Sequence, residues 1–150
     1  DRVRNKSDGV LRAVAATGGL CGASIHGFMN WGGDPAQPPS LEGFVAHVRH
    51  MVNLVGIEHV SFGTDFAAVG DPRAADFFLE MSATRYASGT GDYVAAFGNS
   101  LERRFPDVLN NPRFMARKTG ALLAAGFAED AVERIMGGNL LRVLGEIWGG

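Results

Sequence analysis

The sequence predicts an α/β fold in which parallel strands alternate with crossover helices. Helical and strand-like segments alternate over residues 7–66, and the junctions between them are short. The strand-like segments consist mainly of small and apolar residues, as expected for parallel strands that helices cover on both faces. The 21 glycines suit such a fold because strand-to-helix junctions need tight turns.

The first helix and strand are predicted near the start of the chain. Apolar residues recur at helical spacing after the N-cap candidate Ser7: Val10, Leu11, Val14 and Ala15. Gly18-Gly19 end this helix, and the apolar run 20–25 is too short for a buried helix, so we predict a buried parallel strand. Residues 27–39, rich in Gly, Asn, Asp and Pro, are typical of a long loop over a site.

The second helix and strand have the strongest pattern. Ser40 is the N-cap candidate and Gly56 the end of this helix. Its apolar residues lie on one face: Leu41, Phe44, Val48, Met51, Val52 and Val55. Residues 60–66 form the second predicted strand, which the short junction places parallel to the first.

The pattern weakens after the second strand. Residues 73–86 have helical character, whereas 86–106 mix glycines with polar residues and predict an insertion or a mobile loop. A Gly-Gly-Asn break separates two further helical pieces from a terminal amphipathic helix: 120–125, 128–136 and 140–148.

Two parallel strands alone would leave exposed sheet edges. The chain also begins at Asp1 rather than at an initiator Met. We therefore expect that an N-terminal part is absent from these 150 residues, or that a partner chain completes the sheet. A homo-oligomer is compatible with the sequence.

Composition excludes several classes of function. A net charge of -2 gives no broad electrostatic attraction to nucleic acid or to an anionic membrane. The single cysteine, Cys21, excludes an internal disulfide. No apolar run of about 18 residues predicts a membrane span, and no signal peptide is visible. We expect a cytoplasmic location, with any targeting signal upstream of Asp1.

Asp65 is the leading candidate for a catalytic residue. It ends the second predicted strand, and catalytic groups gather at the carboxyl ends of parallel strands. The alternative is an Asp that caps the following turn through its own backbone.

Three further residues are predicted on the same rim. His26 ends the first strand, where an imidazole could bind a metal, move a proton or hydrogen-bond a substrate, or simply be satisfied by backbone. Arg4 and Asn5 precede the first helix, which places them in a strand-to-helix loop. The arginine could clamp a carboxylate through two hydrogen bonds, and the alternative is a solvated side chain near the terminus.

The other histidines favour structural roles. His47 and His50 are three residues apart on the second helix, a spacing that could place two imidazoles together. They flank the apolar face, away from the strand ends, so we interpret them as structural. His59 precedes the second strand at the end opposite the expected site and is predicted to belong to the turn.

Short motifs follow one another in a specific order: Arg4-Asn5, Gly18-Gly19, 46–48, 55–60, 62–66 and 137–143. In order and spacing they resemble the C-terminal portion of the membrane (renal) dipeptidase family. The resemblance covers most of the chain, with a gap around residues 70–106.

This resemblance implies a zinc-dependent hydrolase on a (β/α)8 TIM-type barrel of the metal-dependent hydrolase kind, of which this chain holds the last two strands and following helices. In that family two zinc ions share a bridging hydroxide that attacks dipeptides or related small amides. Asp65 matches the aspartate that handles the proton of that water, and Arg4 matches the arginine that binds the substrate carboxylate. None of the four histidines matches a zinc ligand, so the ligands are expected outside this chain.

The sequence also departs from the family pattern. Ala67 and Ala68 stand where a second Asp and a Gly are usual, His26 stands where an aromatic or polar residue is expected, and 86–106 is longer than the usual connection. An inactive barrel relative that binds a small metabolite or a partner protein is therefore the alternative function. A doubly wound module without metal would need strands that the sequence does not show.

Overall fold

The computed structural model describes five parts of the chain: residues 5–64, 80, 87–97, 103 and 114–149. Helices and strands follow in the order α1 (Asp8–Ala16), β1 (Cys21–Ser24), α2 (Leu41–Val55), β2 (Val60–Gly63), α3 (Ala87–Phe97), α4 (Met115–Ala124), α5 (Glu129–Glu133) and α6 (Asn139–Trp148). Short 3-10 turns span Gly27–Asn30 and Ile57–His59, and a π-helical turn over Arg134–Gly138 joins α5 to α6. The mixed α/β organisation predicted from the sequence is confirmed. None of the described helices has the length and apolar character needed to cross a membrane.

The two predicted N-caps form as expected. Ser7 Oγ accepts a hydrogen bond from Val10 N at 3.5 Å, and Ser40 Oγ accepts one from Gly43 N at 3.2 Å. Each satisfies a backbone donor that the first helical turn leaves unpaired. Gly56 ends α2 with a φ of 87°, a conformation that glycine adopts without steric penalty.

The strands β1 and β2 pair in parallel, with Cys21 opposite Val60 and Ser24 opposite Gly63. Pairing continues one residue past β1, where Ile25 N donates to Gly63 O at 3.1 Å. Because the strands are parallel, their carboxyl ends lie at the same edge of the sheet. Within the described ranges each strand pairs only with the other.

Helix α2 provides the apolar face that covers this sheet. Its buried side chains belong to one core cluster with residues of α1, the sheet and the C-terminal helices: Leu11, Ala23, Ile25, Phe44, Val48, Met51, Val60, Leu122, Val132 and Ile135. The rings of Phe44 and Phe62 meet edge to face, 5.8 Å apart between centroids. Each large side chain buried here contributes about 1.5–3 kcal/mol, so the predicted apolar face of α2 fixes how the helix crosses the strands.

The C-terminal Gly-Gly-Asn-Leu-Leu-Arg motif holds the turn that begins β2. Asn139 Nδ2 donates to Ile57 O at 2.7 Å and to Val60 O at 2.8 Å, and Arg142 Nη2 donates to Glu58 O at 3.0 Å. The break predicted here is confirmed, because the backbone kinks at Gly137, which has non-helical φ and ψ angles, between α5 and α6. The motif serves the amino end of the sheet and not its carboxyl edge.

Helix α3 lies inside the stretch 86–106, to which the sequence assigned no element. Tyr93 and Phe97 are buried against Phe28 and Trp31, with ring centroids 5.1–5.4 Å apart. We call these four residues the aromatic cluster. Their packing is long-range, so it stabilises a helix whose own sequence, with glycines among polar residues, has little local preference for one. The helix predicted over 73–86 falls outside the described residues, apart from residue 80.

Candidate active-site rim

The carboxyl ends of β1 and β2 form one edge, which we call the rim. Ser24 and Gly63 are paired there, and His26 follows two residues after Ser24. His26 is described, whereas Asp65 and Arg4 lie outside the described residues. The predicted roles of Asp65 and Arg4 therefore stay predictions.

His26 follows β1 directly and precedes the 3-10 turn Gly27–Asn30. Its backbone N donates to Ser24 Oγ at 3.1 Å, and its carbonyl accepts from Met29 N at 3.0 Å. The residue is half-buried. Two hydrogen bonds thus hold the backbone that carries the imidazole at the rim.

Asn5 ties the segment that follows Arg4 to the loop after β1. Its Nδ2 donates to Met29 O at 3.2 Å, and its Oδ1 is buried and unpaired within the described part of the chain. We call residues 26–31 the rim loop. The contact brings together two of the segments that the sequence placed at the site, although direct binding of substrate by Asn5 stays a prediction.

Asn30 is a rim residue that sequence reasoning missed. Its Nδ2 donates to Ser24 O at 2.8 Å and to His26 O at 2.9 Å. The sequence signal was weak because asparagine is ordinary in a loop rich in Gly, Asn and Pro. The available sequence feature was a single polar residue between two large apolar ones, Met29 and Trp31.

The rim loop also packs directly on the start of α2. A Cβ atom added to Gly43 would lie 2.8 Å from Asn30 O, closer than side-chain carbons approach a carbonyl oxygen. Glycine at this position therefore permits the contact. The helix that covers the sheet thus also supports the rim loop.

The histidines of α2 lie away from the rim loop contacts. His50 Nε2 lies 2.9 Å from Asp8 Oδ1, a pair exposed to solvent between α2 and α1. His47 Nδ1 is buried, and no described residue hydrogen-bonds to it. At the amino end of the sheet, His59 Nδ1 donates to Gly19 O at 2.9 Å, because that carbonyl can only accept.

Stability should depend on the protonation of His47. Burial lowers the pKa of His47 below its ordinary value, and the nearby His50 lowers it further. The unfolded chain therefore binds this proton more readily, and the unfolding free energy should fall as the pH drops below about 6.5. Replacing His47 with Leu should flatten that fall in denaturant titrations at a series of pH values. An equal slope in both proteins would contradict this role of His47.

The described residues do not themselves form a metal centre. Across residues 5–64, 80, 87–97, 103 and 114–149, no three His, Cys, Asp or Glu side chains are grouped so that they could hold a metal ion. The donor set on these residues does not fit a zinc pair.

A family model and several known proteins match this chain. The family model for membrane dipeptidase (peptidase family M19) matches residues 1–77, just over half of the chain. The dipeptidase tcpJ of Claviceps purpurea is 29% identical over 97% of this chain, and an uncharacterized protein in the pqqA 5' region of Klebsiella pneumoniae is 23% identical over 97% of it. A crystal structure of an amidohydrolase from Pseudomonas aeruginosa superimposes with a TM-score of 0.66 and 25% identity over 98% of this chain.

The chain spans well under half of each of these relatives. It covers 26% of the Claviceps dipeptidase, 41% of the Klebsiella protein and 42% of the Pseudomonas amidohydrolase chain. The matched range 1–77 includes three of the residues singled out at the rim, Arg4, His26 and Asp65. This chain belongs to the membrane dipeptidase family, peptidase family M19.

Proposed function

We propose that this chain is the C-terminal part of a (β/α)8 barrel hydrolase that cleaves dipeptides or related small amides. The observation that carries the proposal is the family match over residues 1–77, which contains both strands of the sheet and the residues that follow them. The parallel register supports it, because it brings the carboxyl ends of β1 and β2 to one edge. The remaining strands of the barrel would be supplied by a preceding segment or by a partner chain.

The rim residues divide the reaction into binding and proton transfer. Asp65 accepts a proton from the attacking water and orients that water toward the scissile carbonyl. Arg4 pairs with the carboxylate of the substrate through its planar guanidinium. His26, held at the end of β1, hydrogen-bonds the substrate beside them. All three assignments belong to the proposal.

Zinc dependence is a further part of the proposal, and its ligands are assigned to residues outside this chain. The described residues hold no suitable group of ligands. Removing metal from the complete protein with a chelator should abolish turnover, and adding zinc should restore it. Within this chain, Arg4 and His26 bind the substrate and Asp65 transfers the proton.

The proposal is tested by initial rates of the purified complete protein on dipeptides with free termini and on the same dipeptides amidated at the C-terminus. Free dipeptides should be hydrolysed and the amidated ones poorly, since they lack the carboxylate that Arg4 binds. Replacing Arg4 with Ala should raise KM for the free dipeptide about ten- to hundredfold, the loss expected for a charged hydrogen bond, and should change KM for the amidated one little.

Absence of hydrolysis on all these substrates, in protein that retains its metal, would contradict the proposal. It would favour the alternative of an inactive relative that binds a small metabolite or a partner protein. The two alanines that follow Phe66, where the family pattern has Asp and Gly, are the sequence feature in favour of that alternative.

A further inference from the structure

We propose that Asn30 is a positioning residue of the substrate site, which sets the place of the His26 side chain by holding the two backbone carbonyls around it. This inference rests on the proposed function. Asn30 itself is not assigned a contact with substrate. Asn30 acts on His26 through the backbone. Ser24 O and His26 O accept hydrogen bonds from Asn30 Nδ2 at 2.8 and 2.9 Å.

These two carbonyls lie where the sheet stops. The last strand contact is the hydrogen bond from Ile25 N to Gly63 O, and within the described ranges no strand continues beyond it. Backbone carbonyls that leave a sheet need other donors. His26 O also accepts from Met29 N, and the side chain of Asn30 donates to Ser24 O and His26 O together. Asn30 thereby links the two residues that flank Ile25 and fixes the direction in which His26 leaves β1.

The burial of Asn30 indicates that its purpose is more than stability. The residue is only 9% exposed, and its Oδ1 is buried with no hydrogen-bond partner among the residues that the structure describes. An unpaired buried acceptor is unfavourable, so an asparagine here is a poor choice for packing alone. Sites that must hold a fixed geometry for function are where such unfavourable groups are kept.

Asn139, the first residue of α6, provides a matched comparison because it contacts the opposite end of the same sheet. It is also buried, and its Nδ2 also donates to two backbone carbonyls, Ile57 O and Val60 O. The difference is location, since Asn139 serves the amino end of β2 and Asn30 serves the rim. If Asn30 had only a structural role, the two residues should behave alike when replaced.

Other contacts hold the rim loop independently of Asn30. Phe28 and Trp31 are buried in the aromatic cluster, and Met29 O accepts from Asn5 Nδ2 at 3.2 Å. Loss of the Asn30 side chain should therefore leave the loop docked, while Ser24 O loses this donor and His26 O keeps only Met29 N. The expected defect is in substrate binding and not in folding.

The experiment compares the complete protein with its Asn30→Ala and Asn139→Ala variants in steady-state hydrolysis of free dipeptides. Asn30→Ala should raise KM about tenfold or more with kcat changed much less, the pattern of a lost binding interaction. Asn139→Ala should keep KM within about twofold while lowering the unfolding midpoint. Metal content, measured in each protein, should be unchanged.

Asn30→Asp gives a second readout that a structural role would not produce. At neutral pH its carboxylate would repel the carbonyls of Ser24 and His26, whereas the protonated acid can donate to one of them. The ratio of its kcat/KM to that of the wild type should therefore rise as the pH falls. This variant also decides the question if Asn30→Ala fails to fold.

The outcomes separate the two proposals. A wild-type protein that hydrolyses no dipeptide overturns the proposed function, and this inference with it. An active wild type whose Asn30→Ala variant keeps its KM and loses only stability, as Asn139→Ala does, overturns this inference alone. So does an Asn30→Asp variant whose kcat/KM ratio does not change with pH.

Discussion

Replacing Asp65 with Asn in the complete protein should lower kcat by about 10²–10⁴-fold, the usual contribution of a positioned general base. The amide keeps the size of the side chain and can still hydrogen-bond water, but it cannot accept the proton. Metal content should be retained, because this residue is assigned to the water and not to the metal ligands. Single-turnover rates and metal analysis on the same preparation would check both statements.

Asp130→Asn is a matched control for that substitution. Asp130 is exposed in the first turn of α5, among the C-terminal helices, and the change removes the same charge. Its kcat should equal that of the wild type. Near-normal turnover of Asp65→Asn beside an unaffected control would remove Asp65 from the catalytic machinery.

The second large effect is on stability. Asn139→Ala should lower the free energy of unfolding by about 2–4 kcal/mol, because Ile57 O and Val60 O each lose a buried donor. Asn53→Ala removes the same atoms from an exposed position on α2 and should leave stability nearly unchanged. Equilibrium denaturation of the three proteins measures the difference. Equal stabilities would show that the Asn139 hydrogen bonds do not hold the turn before β2.

The elements that could be predicted are those specified by local sequence. Ser40 and Gly56 mark the ends of α2, and the apolar face between them has helical spacing. The limits of this helix and its buried face could therefore both be predicted from the sequence. The strands β1 and β2 were recognised from short apolar runs, and their observed limits fall within the predicted runs.

The elements that could not be predicted depend on distant contacts. Helix α3 is stabilised by packing against Phe28 and Trp31, more than fifty residues earlier in the chain. Its own sequence contains glycines and has no pattern that predicts a helix. The break before α6, in contrast, was predicted from Gly137-Gly138, and the backbone kinks at Gly137.

The candidate site divides in the same way. Strand ends pointed to His26 and Asp65, and the family resemblance gave Arg4 and Asp65 their roles, which stay predictions. Asn30 was not predictable, because a loop asparagine becomes informative only when its partners are known. Those partners, Ser24 O and His26 O, are set by how the rim loop folds back on β1.

The most direct test of the proposed function is a crystal structure of the complete protein with a phosphinate analogue of a dipeptide. We expect the analogue to lie at the carboxyl ends of β1 and β2, with its carboxylate on Arg4. Asp65 should lie within hydrogen-bond distance of a phosphinate oxygen. An analogue bound away from this rim, or bound there without contact to Arg4 and Asp65, would contradict it.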